Sequence, residues 1–299
     1  MKDARFEERE YEAPLYNQLE RGSRLLWSPG QVFEQHIGID RAMFTVNDLV
    51  FNLHGLHSHL AGAILSRFKW PASWPRGHGR GKLPSFHLNL FIQAKRPQWG
   101  SRAPKIVSSL GLTGRFWKFN LLEHQQMALH DVASRLGNRA LVVYAAPVFH
   151  ESEKLYKYTC LGNIVEHSTF PSALDLKDHN SWYYNCSGAT GVASSEPQRI
   201  EGQNLFDRLE ASIQQLRSGD INEIAWETNI RDLADGITTA LSGDDQVESP
   251  MNAHFFDRQR EIDRELDGNP MREVLKDFIT IMNFIELYSL SWLTIDSCD

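Results

Sequence analysis

The sequence is poor in cysteine, and one long stretch of it has no acidic residue at all. The three cysteines, Cys160, Cys186 and Cys298, show no Cys-x-x-Cys spacing, which excludes a disulfide scaffold and a cysteine-rich zinc module. No apolar run reaches the roughly 20 residues that a membrane span requires. The first ten residues carry seven charges, so we expect no signal or transit peptide, no membrane association and a cytoplasmic protein.

The charge of the chain is distributed unevenly. Residues 1–150 hold 19 Lys and Arg against 11 Asp and Glu, a net charge of +8, whereas residues 151–299 hold 12 against 27, a net charge of −15. No Asp or Glu occurs from 49 to 122, and these 74 residues carry 11 Lys and Arg. This composition favours binding to nucleic-acid phosphates, because each neutralised phosphate releases condensed counterions. The alternatives are a solvated basic face and a basic half that docks on the acidic half.

The predicted elements of residues 28–147 follow the order of an α/β domain with a mixed sheet. A serine cap, a proline at the first helical position and a glycine just past the end predict a helix over 28–37. A strand is predicted to begin at Asp40. Residues 53–84 are predicted to form a loop-rich insertion, because they are interrupted by repeated Trp-Pro and glycine-rich segments.

Three further elements are predicted after the insertion. Alternation of apolar and polar residues over 86–95 predicts a strand that ends at Arg96. Helical spacing of apolar residues over 121–136, followed by Gly137, predicts a helix. A continuous apolar run over 140–146 predicts a strand that is buried on both faces.

The sequence beyond residue 150 is acidic and is predicted to be largely helical. An amphipathic helix is predicted over 204–217, and an apolar helix that packs in the core or faces a partner is predicted over 278–293. Additional strands are predicted within 156–165 and around 182–184. We expect this half to serve regulation or assembly, through a protein partner or through self-association.

Gln93 and Lys95 are the residues that point most directly to chemistry. They stand two positions apart on a predicted strand, so their side chains leave the same face with Cα atoms roughly 6.5 Å apart. A strand that becomes polar on one face at its end, just before a basic loop, indicates a cleft. Together with Asp40 and the helix and strand that follow, this Gln93-Ala94-Lys95 run resembles the PD-(D/E)xK nuclease superfamily, in its branch with Q-x-K in place of E-x-K.

The resemblance implies a fold and a division of the chain. Residues 1–150 would form a restriction-endonuclease-like domain, an α/β fold with a mixed β-sheet flanked by helices and an insertion at about 53–84. Residues 151–299 would form the acidic, mostly helical regulatory or assembly region. Fusions of this kind resemble bacterial antiviral defence effectors.

The resemblance also implies four catalytic residues. Asp40 and Glu34 would bind Mg²⁺ or Mn²⁺. Gln93 would occupy the second acidic position, and Lys95 would orient or activate the attacking water. A metal held by oxygen ligands generates a nucleophile near neutral pH and neutralises charge at phosphorus, while a fixed lysine stabilises the charge that develops. Asp48 is a rival to Asp40 for the acidic position.

These expectations describe a Mg²⁺-dependent endodeoxyribonuclease that acts on DNA, on duplex in preference to single strands, although RNA stays open as a substrate. Basic residues after the strand would bind the phosphates, namely Arg96, Arg102, Lys105, Arg115 and Lys118. Trp117 and Phe119 either stack on bases or pack against the following helix. Two other functions stay open: a catalytically silent nuclease-like subunit that binds DNA for a larger complex, and a structural subunit without nucleic acid.

Overall fold

A computed structural model of the protein describes residues 1–22, 26–27, 86–218, 226–243, 249–267 and 272–296. These residues fold into a mixed α/β structure with two sheets and eight helices, which confirms the predicted α/β class. The helix predicted over 28–37, the strand predicted from Asp40 and the insertion predicted over 53–84 lie outside the described residues. None of the helices in the described ranges is long and apolar enough to cross a membrane.

The strands of the described residues are β1 (Lys2–Asp3), β2 (Leu26–Trp27), β3 (Phe86–Ala94), β4 (Gln98–Gly100), β5 (Phe116–Asn120), β6 (Ala140–Pro147), β7 (Ser168–Thr169), β8 (Ser181–Tyr184), β9 (Ala189–Ser194), β10 (Gln198–Gly202) and β11 (Ser291–Asp296). The helices are α1 (Glu8–Gly22), α2 (Lys105–Ser108), α3 (Glu123–Leu136), α4 (Ser152–Leu161), α5 (Leu205–Ser218), α6 (Trp226–Leu241), α7 (Pro250–Glu265) and α8 (Arg272–Leu287). Short 3-10 helices occupy Gly137–Arg139 and Val165–His167.

A five-stranded mixed sheet, in the order β2-β11-β3-β6-β7, carries the predicted site strand near its centre. β3 and β6 are parallel neighbours, with Gln93 opposite Tyr144. A parallel pair needs a long crossover connection, and α3 forms part of it. β6 is almost entirely buried, as its continuous apolar run predicted.

The second sheet is six-stranded and antiparallel, in the order β1-β4-β5-β8-β9-β10. β5 pairs with β8, which places Lys118 opposite Tyr183. Trp117 and Phe119 point to the other face of β5 and are buried in the main core. Of the two roles predicted for these aromatic side chains, the structure therefore favours packing over base stacking.

The two faces of β3 pack into different cores, which confirms the alternation predicted over 86–95. Leu88, Leu90 and Ile92 lie in a core that also contains side chains of α1, α4 and α5. Phe91 faces the opposite way, into a core formed with α3, α6 and α8. Successive residues of a strand point to opposite faces, so Gln93 and Lys95 share the side of Phe91.

The helix predicted over 121–136 is present as α3. Its C-terminal residue is Leu136, after which the N–H of Gly137 donates to the carbonyl of Ala133. Gly137 has a positive φ of 54°, a conformation that glycine adopts without the steric cost that a side chain would incur. The glycine therefore ends the helix where the sequence predicted.

The C-terminal segment differs from its prediction. The helix predicted over 278–293 ends at Leu287, and Ser291–Asp296 form β11 between β2 and β3. Ser289 makes the reversal with a positive φ of 51°. The apolar residues around position 292 satisfy either a helix or a strand, and pairing with β3 selects the strand. The strand predicted within 156–165 is also wrong, because these residues lie largely in α4.

Both sheets contain strands from either side of residue 150, where a domain boundary was predicted. β11 pairs with β3, and β8 pairs with β5. The described part of residues 151–299 is mostly helical by residue, as predicted, but it also contributes five strands to the two sheets. Its side chains share the cores of the preceding half.

Candidate functional site

Gln93 and Lys95 lie at the carboxyl end of β3, on the face that packs against α3 and the end of α8. Gln93 is 1 % exposed. Lys95 is partly buried and continues the strand by one residue, because its backbone N–H donates to the carbonyl of Ala145 at 2.8 Å. Buried polar side chains require hydrogen-bond partners, and the neighbouring elements provide most of them.

Two buried glutamine amides meet at one backbone carbonyl. Nε2 of Gln93 donates to the carbonyl oxygen of Tyr288 at 2.7 Å, and Nε2 of Gln125 donates to the same oxygen at 3.1 Å. Tyr288 directly follows α8, and the last carbonyls of a helix have no partner within the helix. The end of α8 is therefore tied to both β3 and α3.

The Lys95 ammonium group lies between a glutamine and an aromatic ring. Its Nζ donates to Oε1 of Gln125 at 3.0 Å and lies 5.7 Å from the centroid of the Tyr144 ring. Burial lowers the pKa of Lys95 to about 8, and the charge of Glu8 opposes this shift. The ammonium is thus charged at neutral pH but gives up its proton at a much lower pH than an exposed lysine.

One buried oxygen of the site bears on what the site could bind. Oε1 of Gln93 is buried and has no hydrogen-bond partner among the described residues. A buried acceptor without a partner is costly, and a side-chain carbonyl oxygen is a ligand type that hard divalent cations accept. The donor chemistry at Gln93 therefore fits a metal ion or an ordered water.

The carboxylates predicted to hold the metal lie outside the described residues. This applies to Glu34 and Asp40, and also to the rival Asp48. Within the ranges that the structure describes, no group of three or more His, Cys, Asp and Glu side chains is arranged to hold a metal ion. The described part of the site contributes an ammonium and two carboxamides, and any acidic contribution from the predicted residues stays a prediction.

Glu8, at the start of α1, is a carboxylate near this site that the sequence analysis missed. Its Oε2 accepts the backbone N–H of Arg96 at 3.1 Å, and its charge acts on Lys95. Glu12 stands one helical turn further on, and burial followed by the charge of Glu8 raises its pKa. The two glutamates bring negative charge from α1 towards the end of β3.

Arg96, the first of the five predicted DNA-binding residues, is engaged within the protein. Its guanidinium forms an ion pair with Glu7 at 2.9 Å and donates to the carbonyl of Ala4 at 2.6 Å. Together with the Glu8 contact, these bonds fasten the N-terminal segment to the end of β3. The structure thus gives Arg96 a structural role beside the one predicted for it.

Arg102, Lys105 and Arg115 are exposed on the connection between β4 and β5. A backbone hydrogen bond of 3.0 Å between Ala103 and Gly114 closes this connection, so Arg102 and Arg115 lie on adjacent chain segments. The connection is part of the acid-free stretch. The connection therefore carries positive charge and no acidic residue of its own.

Lys118 lies on the outer face of the six-stranded sheet. Its Nζ is 5.2 Å from the centroid of the Tyr183 ring, which is the cross-strand neighbour of Lys118. A cation over an aromatic face is held in place by the ring quadrupole. Lys118 is partly exposed. It lies in β5, which is one of the two strands that the basic connection joins.

Gln125 and Tyr288 are further site residues that sequence reasoning missed. Gln125 had a signal, because it stands four residues before Leu129 and seven before Val132, on the buried stripe of α3. A polar residue on an apolar stripe needs a specific partner. Tyr288 had no such signal. It contributes a backbone carbonyl that is free of helical bonding because α8 ends at Leu287, whereas the sequence predicted that the helix would continue to residue 293.

The arrangement as a whole joins a lysine of lowered pKa, two oriented carboxamides and nearby glutamates at the end of one central strand. Such a set can stabilise developing negative charge and can hold a cation or a water molecule. A basic chain segment follows directly. In comparison with known proteins, no family model, no curated protein and no solved structure matches this chain.

Proposed function

We propose that the protein is a metal-dependent nuclease that hydrolyses phosphodiester bonds of DNA, with Gln93 and Lys95 in its active site. The observation that carries this proposal is the bond from the Lys95 ammonium to the Gln125 amide at the end of β3, together with a Gln93 oxygen that has no partner among the described residues. The parallel pair of β3 and β6, connected through α3, supports the resemblance to a restriction-endonuclease-like fold. A cytoplasmic location is part of the same proposal.

Each residue of the site has a separate role in the proposed reaction. Lys95 places a fixed positive charge where negative charge develops on the phosphate. Gln93, through its Oε1, would hold a divalent cation together with Asp40 and Glu34. Bound there, Mg²⁺ or Mn²⁺ would lower the pKa of a water molecule and neutralise the phosphate oxygens.

The basic connection between β4 and β5 is proposed to hold the DNA phosphates beside this site. Residues 95–97 alone separate β3 from β4, and the connection begins after Gly100, so it follows the proposed catalytic residues closely along the chain. Arg102, Lys105 and Arg115 are exposed there. Contacts from such side chains are independent of base sequence and weaken steeply with salt.

The test is cleavage of supercoiled plasmid by the purified full chain, with Mg²⁺ or with EDTA. We expect cleavage with Mg²⁺ and none with EDTA. Lys95→Ala and Asp40→Ala should each reduce the rate by about 100-fold or more, whereas the exposed Lys177→Ala, a matched loss of one lysine, should leave it unchanged. If Lys95→Ala cleaves as fast as the natural chain, the proposed active site is wrong, even if the protein is a nuclease.

A second function, a catalytically silent nuclease-like subunit, is favoured by one observation. Gln93 carries no charge, and its amide is already bonded to the carbonyl of Tyr288. Such a subunit would bind DNA with a steep salt dependence but would not cut it with Mg²⁺ or Mn²⁺. A structural subunit without nucleic acid would do neither. Plasmid cleavage therefore separates the nuclease from the other two, and salt titration of binding to a fluorescent duplex separates those two from each other.

A further inference from the structure

We propose that the backbone carbonyl of Tyr288 is a positioning group of this site, because it accepts an N–H from both Gln93 and Gln125 and thereby sets the direction of both carboxamides. The consequence for catalysis rests on the proposed nuclease function. The orientation itself can be tested without it. In this arrangement the end of α8 organises a site to which the sequence analysis assigned no residue of α8.

The orientation follows from the chemistry of the groups. A backbone carbonyl only accepts hydrogen bonds, and a carboxamide offers an N–H₂ donor at one end and an oxygen acceptor at the other. Each amide can therefore turn only its Nε2 to Tyr288. This leaves Oε1 of Gln125 to accept from Nζ of Lys95 at 3.0 Å, and it leaves Oε1 of Gln93 without a partner among the described residues.

The Tyr288 carbonyl is held in place from several directions. The Tyr288 backbone N–H donates to the carbonyl of Phe284 at 3.0 Å, and the N–H of Leu290 donates to that of Ile285 at 2.9 Å. The Tyr288 ring is fully buried, and its hydroxyl donates to Asn252 in α7. A carbonyl fixed in this way can orient the two glutamine side chains that it binds.

The same contact explains why position 93 is a glutamine. An ionised glutamate has acceptors only, so at position 93 it would direct a carboxylate at the Tyr288 carbonyl inside the protein. It would have to stay protonated or lose the contact. Gln93 is therefore required by the end of α8, and the more acidic residue of the E-x-K pattern would weaken this site.

Gln126 provides a matched control on the same helix. It is 3 % exposed, its Nε2 donates to the carbonyl of Ala173 at 2.9 Å, and its Oε1 accepts from the Tyr144 hydroxyl. Gln126 thus repeats the contact between an amide and a backbone carbonyl, but it makes no described hydrogen bond to Lys95 or Gln93. A glutamate at position 126 would also bury a carboxyl group, but one that does not face the Tyr288 carbonyl.

The first experiment measures the pH dependence of Lys95 modification in the folded full chain, by amine labelling and mass spectrometry. Gln125→Glu places a carboxylate beside the ammonium, so the labelling midpoint should rise by about one pH unit. Gln125→Met removes the acceptor, so the midpoint should fall. Gln126→Glu, whose carboxylate would have no direct bond to Lys95, should move the midpoint less than Gln125→Glu does. Midpoints that do not move in opposite directions for the two Gln125 variants would overturn the inference.

The second experiment compares Gln93→Glu with the natural chain. The variant should melt at a lower temperature, and the difference should be larger at pH 8 than at pH 5, because the buried carboxyl resists ionisation. It should also cut plasmid more slowly at pH 8. Equal stability together with equal or faster cleavage at pH 8 would show that the Tyr288 carbonyl imposes no donor at position 93.

The two proposals fail in different ways. If the labelling midpoints move as expected but no variant or natural chain cuts DNA, the positioning role stands and the nuclease function falls. If plasmid is cut and Lys95→Ala abolishes cutting, but the midpoints do not move, the nuclease function stands and the positioning role of Tyr288 falls.

Discussion

The indole Nε1 of Trp292 donates to Oδ1 of Asn89 at 3.1 Å, and this bond joins the C-terminal strand β11 to the site strand β3. Nδ2 of Asn89 donates in turn to the carbonyl of Arg139 and to Oδ1 of Asn229. A single fully buried asparagine thus connects β3 with β11, with the turn before β6 and with α6. The C-terminal residues belong to the same structural unit as the site.

Asn89→Ala should destabilise the protein by about 2–4 kcal/mol, because it removes the buried partner of the Trp292 N–H and of Asn229 Oδ1. Urea unfolding followed by tryptophan fluorescence measures this loss. Asn185→Ala, at an exposed position, is the control and should cost less than about 0.5 kcal/mol. Equal effects of the two variants would mean that the buried network contributes little.

Lys95→Met should stabilise the protein at pH 7 while abolishing the proposed activity. Burial lowers the pKa of Lys95 from 10.5 to about 8, so the charged form is disfavoured in the folded state. This penalty is complete below pH 8 and disappears as the pH rises towards 10.5. We expect a gain of about 1–2 kcal/mol at pH 7 that shrinks above pH 8. Chemical unfolding across this pH range checks the sign, and a gain that grows with pH would contradict it.

Substitution of the predicted DNA-binding residues should lower the stability of the protein at Arg96 but not at the other four positions. Four of the predicted DNA-binding residues form an outer group, namely Arg102, Lys105, Arg115 and Lys118. Alanine at any one of them should reduce the steepness of the slope of log affinity against log salt by about one and leave the melting temperature unchanged. Arg96→Ala should instead lower the melting temperature, because it breaks the contacts with Glu7 and Ala4. Unchanged salt slopes in all four outer variants would argue against this surface as the DNA-binding site.

Asp277 in α8 should make stability depend on pH. Burial, and then the charge of Asp235, raise the pKa of Asp277 to about 6, against the opposing charge of Arg231. Because this folded-state pKa lies above the ordinary value of 3.8, the stability from the neutral form is lost as the pH rises through about 6. Asp277→Asn should therefore stabilise the protein by about 1 kcal/mol at pH 7.5 and hardly at all at pH 4. A larger gain at pH 4 would contradict the assigned shift.

The sequence predicted correctly that Gln93 and Lys95 lie on one face of a strand, and this prediction depends on local geometry. Gln93 and Lys95 share a face because side chains alternate along any strand, and the pattern of residues 86–95 makes a strand plain. Gln125 and Tyr288 entered only with the tertiary structure. The bond from Gln93 to Tyr288 spans 195 positions, and no local period carries information over that distance.

The amino-acid order alone determined the class of the fold, the strand that carries Gln93 and Lys95 on one face, and the helix that ends at Gly137, since each follows from steric and hydrophobic periods within a few residues. Only the folded chain decided that β11 would lie beside β3 and that α8 would end with its carbonyl against Gln93. Such choices are made by the combined burial and hydrogen bonding of segments far apart along the chain, where several pairings suit the same apolar pattern and only one satisfies every buried polar group together.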